Sequence, residues 1–189
     1  MKQSRLVAVC SIATALIIVL SLIPPSFGLP FFGFIPVLVV ISAFRKIKIS
    51  VYVSLTAGII SWIFAYIRPS VVGLAFQSNP HLAILPRLFA GLVAHYVSVF
   101  VFYISKSKII PTGIFCAIFG SSANTLFVIG AIVIFVPEAY SNFVTTWAYV
   151  AFIIPTAILE LVMNSIITPV MSRIIVKRMK VELKNTQQI

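Results

Sequence analysis

With 61% apolar and 9% charged residues and a mean hydropathy of +1.15, this 189-residue chain is too apolar for a water-soluble domain. Its net charge of +11 would indicate nucleic-acid binding in a soluble protein. In a membrane protein, basic loops lying against anionic lipid headgroups account for that charge without nucleic acid. No GxxxxGK(S/T) phosphate loop occurs, so energy for uphill work would come from an ion gradient or a partner subunit.

Six apolar runs follow one another along the chain. The first spans residues 6–23 and stops at Pro24-Pro25, which cannot continue a helix. Lys2 and Arg5 ahead of it resemble the start of a signal peptide. The length of the run, the proline pair and the lack of an A-x-A site favour a retained helix instead. The second run, 35–44, has only about 15 Å of helical reach and is marginal as a span unless residues 29–34 also enter the membrane.

The third run covers 49–67 and is followed by the longest connection, from Arg68 to Ala83, with Gln77, Ser78, Asn79, Pro80 and His81. The fourth and fifth cover 84–104 and 111–136. The sixth, 147–176, is longer than a bilayer needs, so it tilts or projects. Pro86 and Pro111 suit first turns, Pro137 ends the fifth helix, and Pro155 and Pro169 predict kinks in the sixth. No internal repeat supports the inverted-repeat architecture of many carriers. Trp62, Tyr66, Trp147 and Tyr149 fit an aromatic belt at the outer interface.

The basic residues set the expected threading. Lys2 and Arg5 precede the first run, and Arg45, Lys46 and Lys48 follow the second. Lys106 and Lys108 follow the fourth, and Arg173, Lys177, Arg178, Lys180 and Lys184 close the sixth. Of the 14 Lys and Arg, only Arg68 and Arg87 fall elsewhere. Cytoplasmic loops retain Lys and Arg, so the expected fold is all-α: one domain, residues 1–189, of six transmembrane helices with both termini cytoplasmic.

Polar groups within such runs are costly and ask for a reason. Arg87, about one turn inside the fourth run, either snorkels to the headgroups or faces the bundle and fixes an anionic ligand. Asn124 shares a face of the fifth run with Gly113, Ala117 and Gly120/Ser121, a small-residue stripe that turns it into the bundle. It serves there as interhelical glue or as a ligand amide near Arg87. Glu160, with Asn164 four residues on, is the only carboxylate within a run; it is structural, ligand-binding or part of a proton relay. On the first run Ala8, Ser11 and Ala15 make a flat face for another helix, in this chain or in a partner.

Competing chemistry has thinner support. His95 with Ser121 or Ser122 would suit an intramembrane serine hydrolase, but no third group orients the histidine. The chain has no Asp and no H-E-x-x-H, which excludes aspartyl and zinc intramembrane proteases. Cys10 and Cys116 read as small packing residues, and no cofactor or metal site is expected.

Several blocks together resemble the substrate-binding S components of energy-coupling factor (ECF) vitamin transporters, most closely the pantothenate and cobalamin group. They are Asn79-Pro80, Leu85-Pro86-Arg87-Leu88, Ala90-Gly91-Leu92, and Gly120-Ser121-Ser122-Ala123-Asn124-Thr125-Leu126 with Val128-Ile129-Gly130. Ile35-Pro36-Val37 and Glu160 fall in the same order. The chain departs from the pattern at Phe34, where relatives often carry His, and near Thr156, where they often carry Asn-Gly.

The resemblance implies a non-enzymatic protein that captures a vitamin near the outer face. It would then work with a transmembrane coupling subunit and two ATPase subunits among the membrane lipids. Its binding residues would be Arg87, Asn124, Asn79 and Glu160, walled by Trp62, Tyr66 and Phe76, and Ala8, Ser11 and Ala15 would meet the coupling subunit. A cationic Arg87 in a low-dielectric pocket suits a small carboxylate such as pantothenate, with cobalamin or riboflavin as alternatives. A stand-alone proton-linked carrier using Glu160 is the competing class.

Overall fold

The computed structural model describes residues 3–22, 32–67, 71–135 and 147–186. Seven α-helices make up these segments: α1 (Gln3–Ser21), α2 (Ile35–Phe44), α3 (Ile47–Ile67), α4 (Val71–Ser78), α5 (Pro80–Ile104), α6 (Ile109–Phe135) and α7 (Trp147–Thr186). A 3-10 turn, Phe32–Phe34, leads into α2. α3, α5, α6 and residues Pro155–Met179 of α7 are each long and apolar enough to cross a bilayer. The chain is an all-α, multi-pass membrane protein. The apolar part of α1 and the whole of α2 are shorter.

α2 is the centre of the bundle. From Ile35 to Ala43 every residue is buried, because α1, α3, α5, α6 and α7 all pack around it. At ten residues it is too short to cross a bilayer, and its apolar sides all find neighbours inside the bundle. It ends at Arg45, which takes the left-handed conformation (φ 50°) and returns its N–H to the Ile41 carbonyl. The Arg45 guanidinium lies 3.7 Å over the Phe102 ring and donates to the Ser42 carbonyl, tying the α2–α3 corner to the end of α5. Burial pushes this guanidinium below its ordinary pKa. Lys106 and Ser107, in the α5–α6 corner, are left-handed too. These corners define a basic end of the bundle.

Close helix approach is set by missing side chains. A Cβ on Gly58 would stand 2.8 Å from the Ile84 backbone of α5, and one on Gly113 would stand 2.5 Å from the Cα of Pro169 in α7. Backbone cannot yield as a flexible side chain does, so both positions require glycine. Serine hydroxyls add polar ties in the core. Ser42 pairs with Ser172 at 2.5 Å, and Ser172 also reaches the Thr168 carbonyl at 2.6 Å.

Two expectations are corrected. The connection from Arg68 to Ala83 is largely helical: α4 fills it, and only Asn79 interrupts the run into α5. The first-turn proline of α5 is therefore Pro80, and Pro86 lies inside the helix, where it removes one backbone donor. α7 runs unbroken through Pro155 and Pro169 for 40 residues, about 60 Å, longer than the expected sixth helix. Pro137 and the residues that follow the first run fall outside the described segments.

Candidate functional site

The helix register places the expected residues relative to one another. α5 and α6 are antiparallel, with Phe89 against Phe127 and His81 against Phe135. α6 and α7 are antiparallel as well, with Gly113 against Pro169 and Asn164 Nδ2 donating to Ser121 Oγ at 2.7 Å. Counting from these marks puts Glu160 level with Asn124. Gly120, one turn below Asn124, faces Leu38 of α2 and Ala94 of α5. Hence α2 begins at about the level of Asn124, and the polar residues converge beyond its first turn, away from the basic end.

Arg87 does not snorkel out. It is 7% exposed, donates to the Ala83 carbonyl at 2.8 Å, and holds its guanidinium carbon 5.2 Å from the centre of the Phe76 ring. This turns the guanidinium toward α4 and away from the Asn124 level, by about two helical turns or ~10 Å. Arg87 and Asn124 are thus not in the direct reach that their sequence positions suggested. Glu160 lies within electrostatic reach of Arg87 and beside Asn164.

The aromatic walls separate into two roles. Trp62 packs on the cluster of Ala65, Ala75, Phe76, Leu82 and Ala83, the same cluster that carries the Arg87 guanidinium. Tyr66 meets Trp62 edge-on at 5.9 Å but is 57% exposed, and its hydroxyl donates to the Gln77 carbonyl at 2.8 Å. Gln77 in turn donates to the Ala65 carbonyl at 2.6 Å. Tyr66 and Gln77 therefore clamp α4 onto α3, a role for Gln77 that the sequence reading missed. Asn79 sits two turns from Arg87 at the α4–α5 break, with its amide turned back toward the Ala75 carbonyl at 3.5 Å.

Buried polar atoms in proteins nearly always have partners. Here Trp62 Nε1, Asn124 Oδ1 and Glu160 Oε1 are buried and have none. With Ser61 Oγ, likewise buried without a partner beside Trp62, one N–H donor, one hydroxyl and two acceptors stand open at this end of the bundle. No family model, characterised protein or solved structure matches this chain.

His95 is placed differently from the hydrolase reading. It lies level with Ser121, but its Nδ1 pairs with Ser50 Oγ of α3 at 3.0 Å, and Ser121 Oγ accepts from Asn164. On α1, Ala8, Ser11 and Ala15 are exposed, so no helix of the described residues covers that face. Beside it an apolar cleft of about 510 Å³ opens between α1, α2 and α7, lined by residues such as Ile12, Leu16, Val39, Met163 and Ile167.

Proposed function

We propose that this chain is the substrate-capturing membrane subunit of an ECF-type importer, taking up a vitamin-sized polar molecule, with pantothenate as the reference compound. In this reading it crosses a bacterial cell membrane six times with both termini cytoplasmic. The basic end then faces the cytoplasm, in accord with the placement of Lys and Arg. The observation that carries the reading is the set of open, buried polar atoms, Trp62 Nε1, Asn124 Oδ1 and Glu160 Oε1, gathered with Arg87 at the opposite end.

Capture there requires α4, hinged at Asn79 and clamped through Tyr66 and Gln77, to cover the ligand from the outer side. The uncovered Ala8, Ser11 and Ala15 face and the adjoining apolar cleft supply the surface for a transmembrane coupling subunit. ATP hydrolysis belongs to two partner ATPase subunits, consistent with the missing phosphate loop. The test is radiolabelled vitamin uptake in proteoliposomes. Uptake that requires co-reconstituted coupling and ATPase subunits, with ATP inside, supports the proposal.

A second reading, a proton-linked carrier, is favoured by the open Glu160 Oε1. Uptake by the chain alone, driven by a pH gradient and abolished in Glu160→Gln, would establish it instead.

A further inference from the structure

We infer that Ser61 is a further binding residue of this site, and that Ser61 and Trp62 together take a carbonyl or carboxylate group of the captured molecule. This deepens, and rests on, the reading of the site as a capture pocket. A hydroxyl on a helix ordinarily satisfies itself by donating to the carbonyl four residues back. Ser50 and Thr56 do so on α3 itself, at 3.1 and 2.9 Å. Ser21 of α1 and Ser165 and Ser172 of α7 do the same. Ser61 does not. It is 6% exposed, and its Oγ is buried with no hydrogen-bond partner among the described residues.

Two other buried hydroxyls lack a partner, and both stand apart from the site. Ser54 Oγ is wedged against α5, where a Cβ on Gly91 would come within 1.7 Å of it, so packing sets its direction. Thr168 Oγ1 lies on α7 about two turns nearer the basic end than Glu160. Ser61 instead follows Gly58, which meets the Ile84 backbone, one turn further toward the start of α5. Its chain neighbour Trp62 packs on Phe76, Leu82 and Ala83 and keeps Nε1 unpartnered as well. The pair stands at the junction of α3, α4 and α5. The indole N–H can only donate, and the Ser61 hydroxyl, having given nothing to its own helix, keeps its proton to give. A carbonyl or carboxylate oxygen offers lone pairs to both, whereas a ring nitrogen offers only one. A ligand without such an oxygen leaves a buried donor unpaired, and polar sites discriminate most strongly through that penalty.

The experiment offers the purified, detergent-solubilised protein an equimolar mixture of pantothenate, riboflavin, thiamine and pyridoxine. Pantothenate and riboflavin carry carbonyl or carboxylate oxygens; thiamine and pyridoxine carry none. Native mass spectrometry identifies the retained compound, and calorimetric titration measures its affinity for wild type, Ser61→Ala, Ser61→Cys and Ser54→Ala. Wild type is expected to retain a carbonyl-bearing compound. Both Ser61 variants unfold at the wild-type temperature and bind that compound roughly 3- to 30-fold more weakly, while Ser54→Ala binds it as wild type does. Four results would overturn the inference and leave vitamin capture standing: retention of a compound without such an oxygen, unchanged affinity in both Ser61 variants, an equal fall in Ser54→Ala, or a lowered unfolding temperature in both Ser61 variants. Retention of no compound by the wild type, from the mixture or from the cells that made it, would remove the capture reading and this inference with it.

Discussion

Asn164 of α7 donates to Ser121 of α6 at 2.7 Å, and this bond, with Gly113 against Pro169, fixes the level at which the two helices meet. It brings Glu160 to the height of Asn124. A shift of one turn along α7 would carry Glu160 off the level of Asn124. Both partners are buried, with Asn164 1% and Ser121 3% exposed. A double-mutant cycle on Ser121→Ala and Asn164→Ala, followed by unfolding in detergent micelles, gives a coupling of about 0.6–1.7 kcal/mol. Additive effects would remove the bond as a register device.

Glycine substitutions separate packing from helix propensity. Gly113→Ala places a methyl against the Pro169 backbone and lowers stability by about 1–3 kcal/mol. Gly130 has no atom within 4 Å of a Cβ, so Gly130→Ala is neutral or stabilising by up to about 1 kcal/mol. Thermal unfolding of the two variants side by side measures the contrast.

Trp62→Phe keeps most of the aromatic surface and deletes Nε1, which has no partner in the free protein. Stability is unchanged or slightly raised, because an unsatisfied buried donor is removed. Ligand affinity falls by roughly 3- to 30-fold, the equivalent of one hydrogen bond. Calorimetric titration and thermal unfolding of the same preparation read the two effects separately. Loss of stability with unchanged affinity would mean that Trp62 serves only as packing.

Ser11→Leu on α1 enlarges a face that the rest of the described chain leaves open. The isolated protein unfolds at the same temperature as wild type and binds ligand equally well. On the proposed function, its co-purification with a co-expressed coupling subunit drops by about tenfold or more, since small residues are what allow helices to approach closely. Intact co-purification would place the partner on another surface.

Much of the architecture was legible because lipid leaves so few options. Apolar runs located most of the helices, and the small stripe on the fifth run did turn inward: Gly113, Ala117, Gly120, Ser121 and Asn124 are all buried. The stretch around Gln77 to His81 misled, because polar residues with a proline look like a loop. Pro80 in fact opens α5, and Gln77 is consumed in clamping α4. The direction of Arg87 was not legible either. Its guanidinium is drawn back one turn by the Ala83 carbonyl and the Phe76 ring, and neither contact has a sequence signal. The polar series Glu160, Asn164, Thr168 and Ser172, repeating every four residues, was a readable mark of the inward face of α7, but only its first two members had been noted.

The central claim, that Arg87 and the open polar atoms around it hold a captured small molecule, is tested most directly by native mass spectrometry of the gently purified protein. Wild type is expected to carry a small molecule of defined mass, and Arg87→Ala to be expressed and folded but empty. A wild-type protein that carries nothing and binds no added vitamin, or an Arg87→Ala variant that retains the same ligand as fully as wild type, would contradict the account.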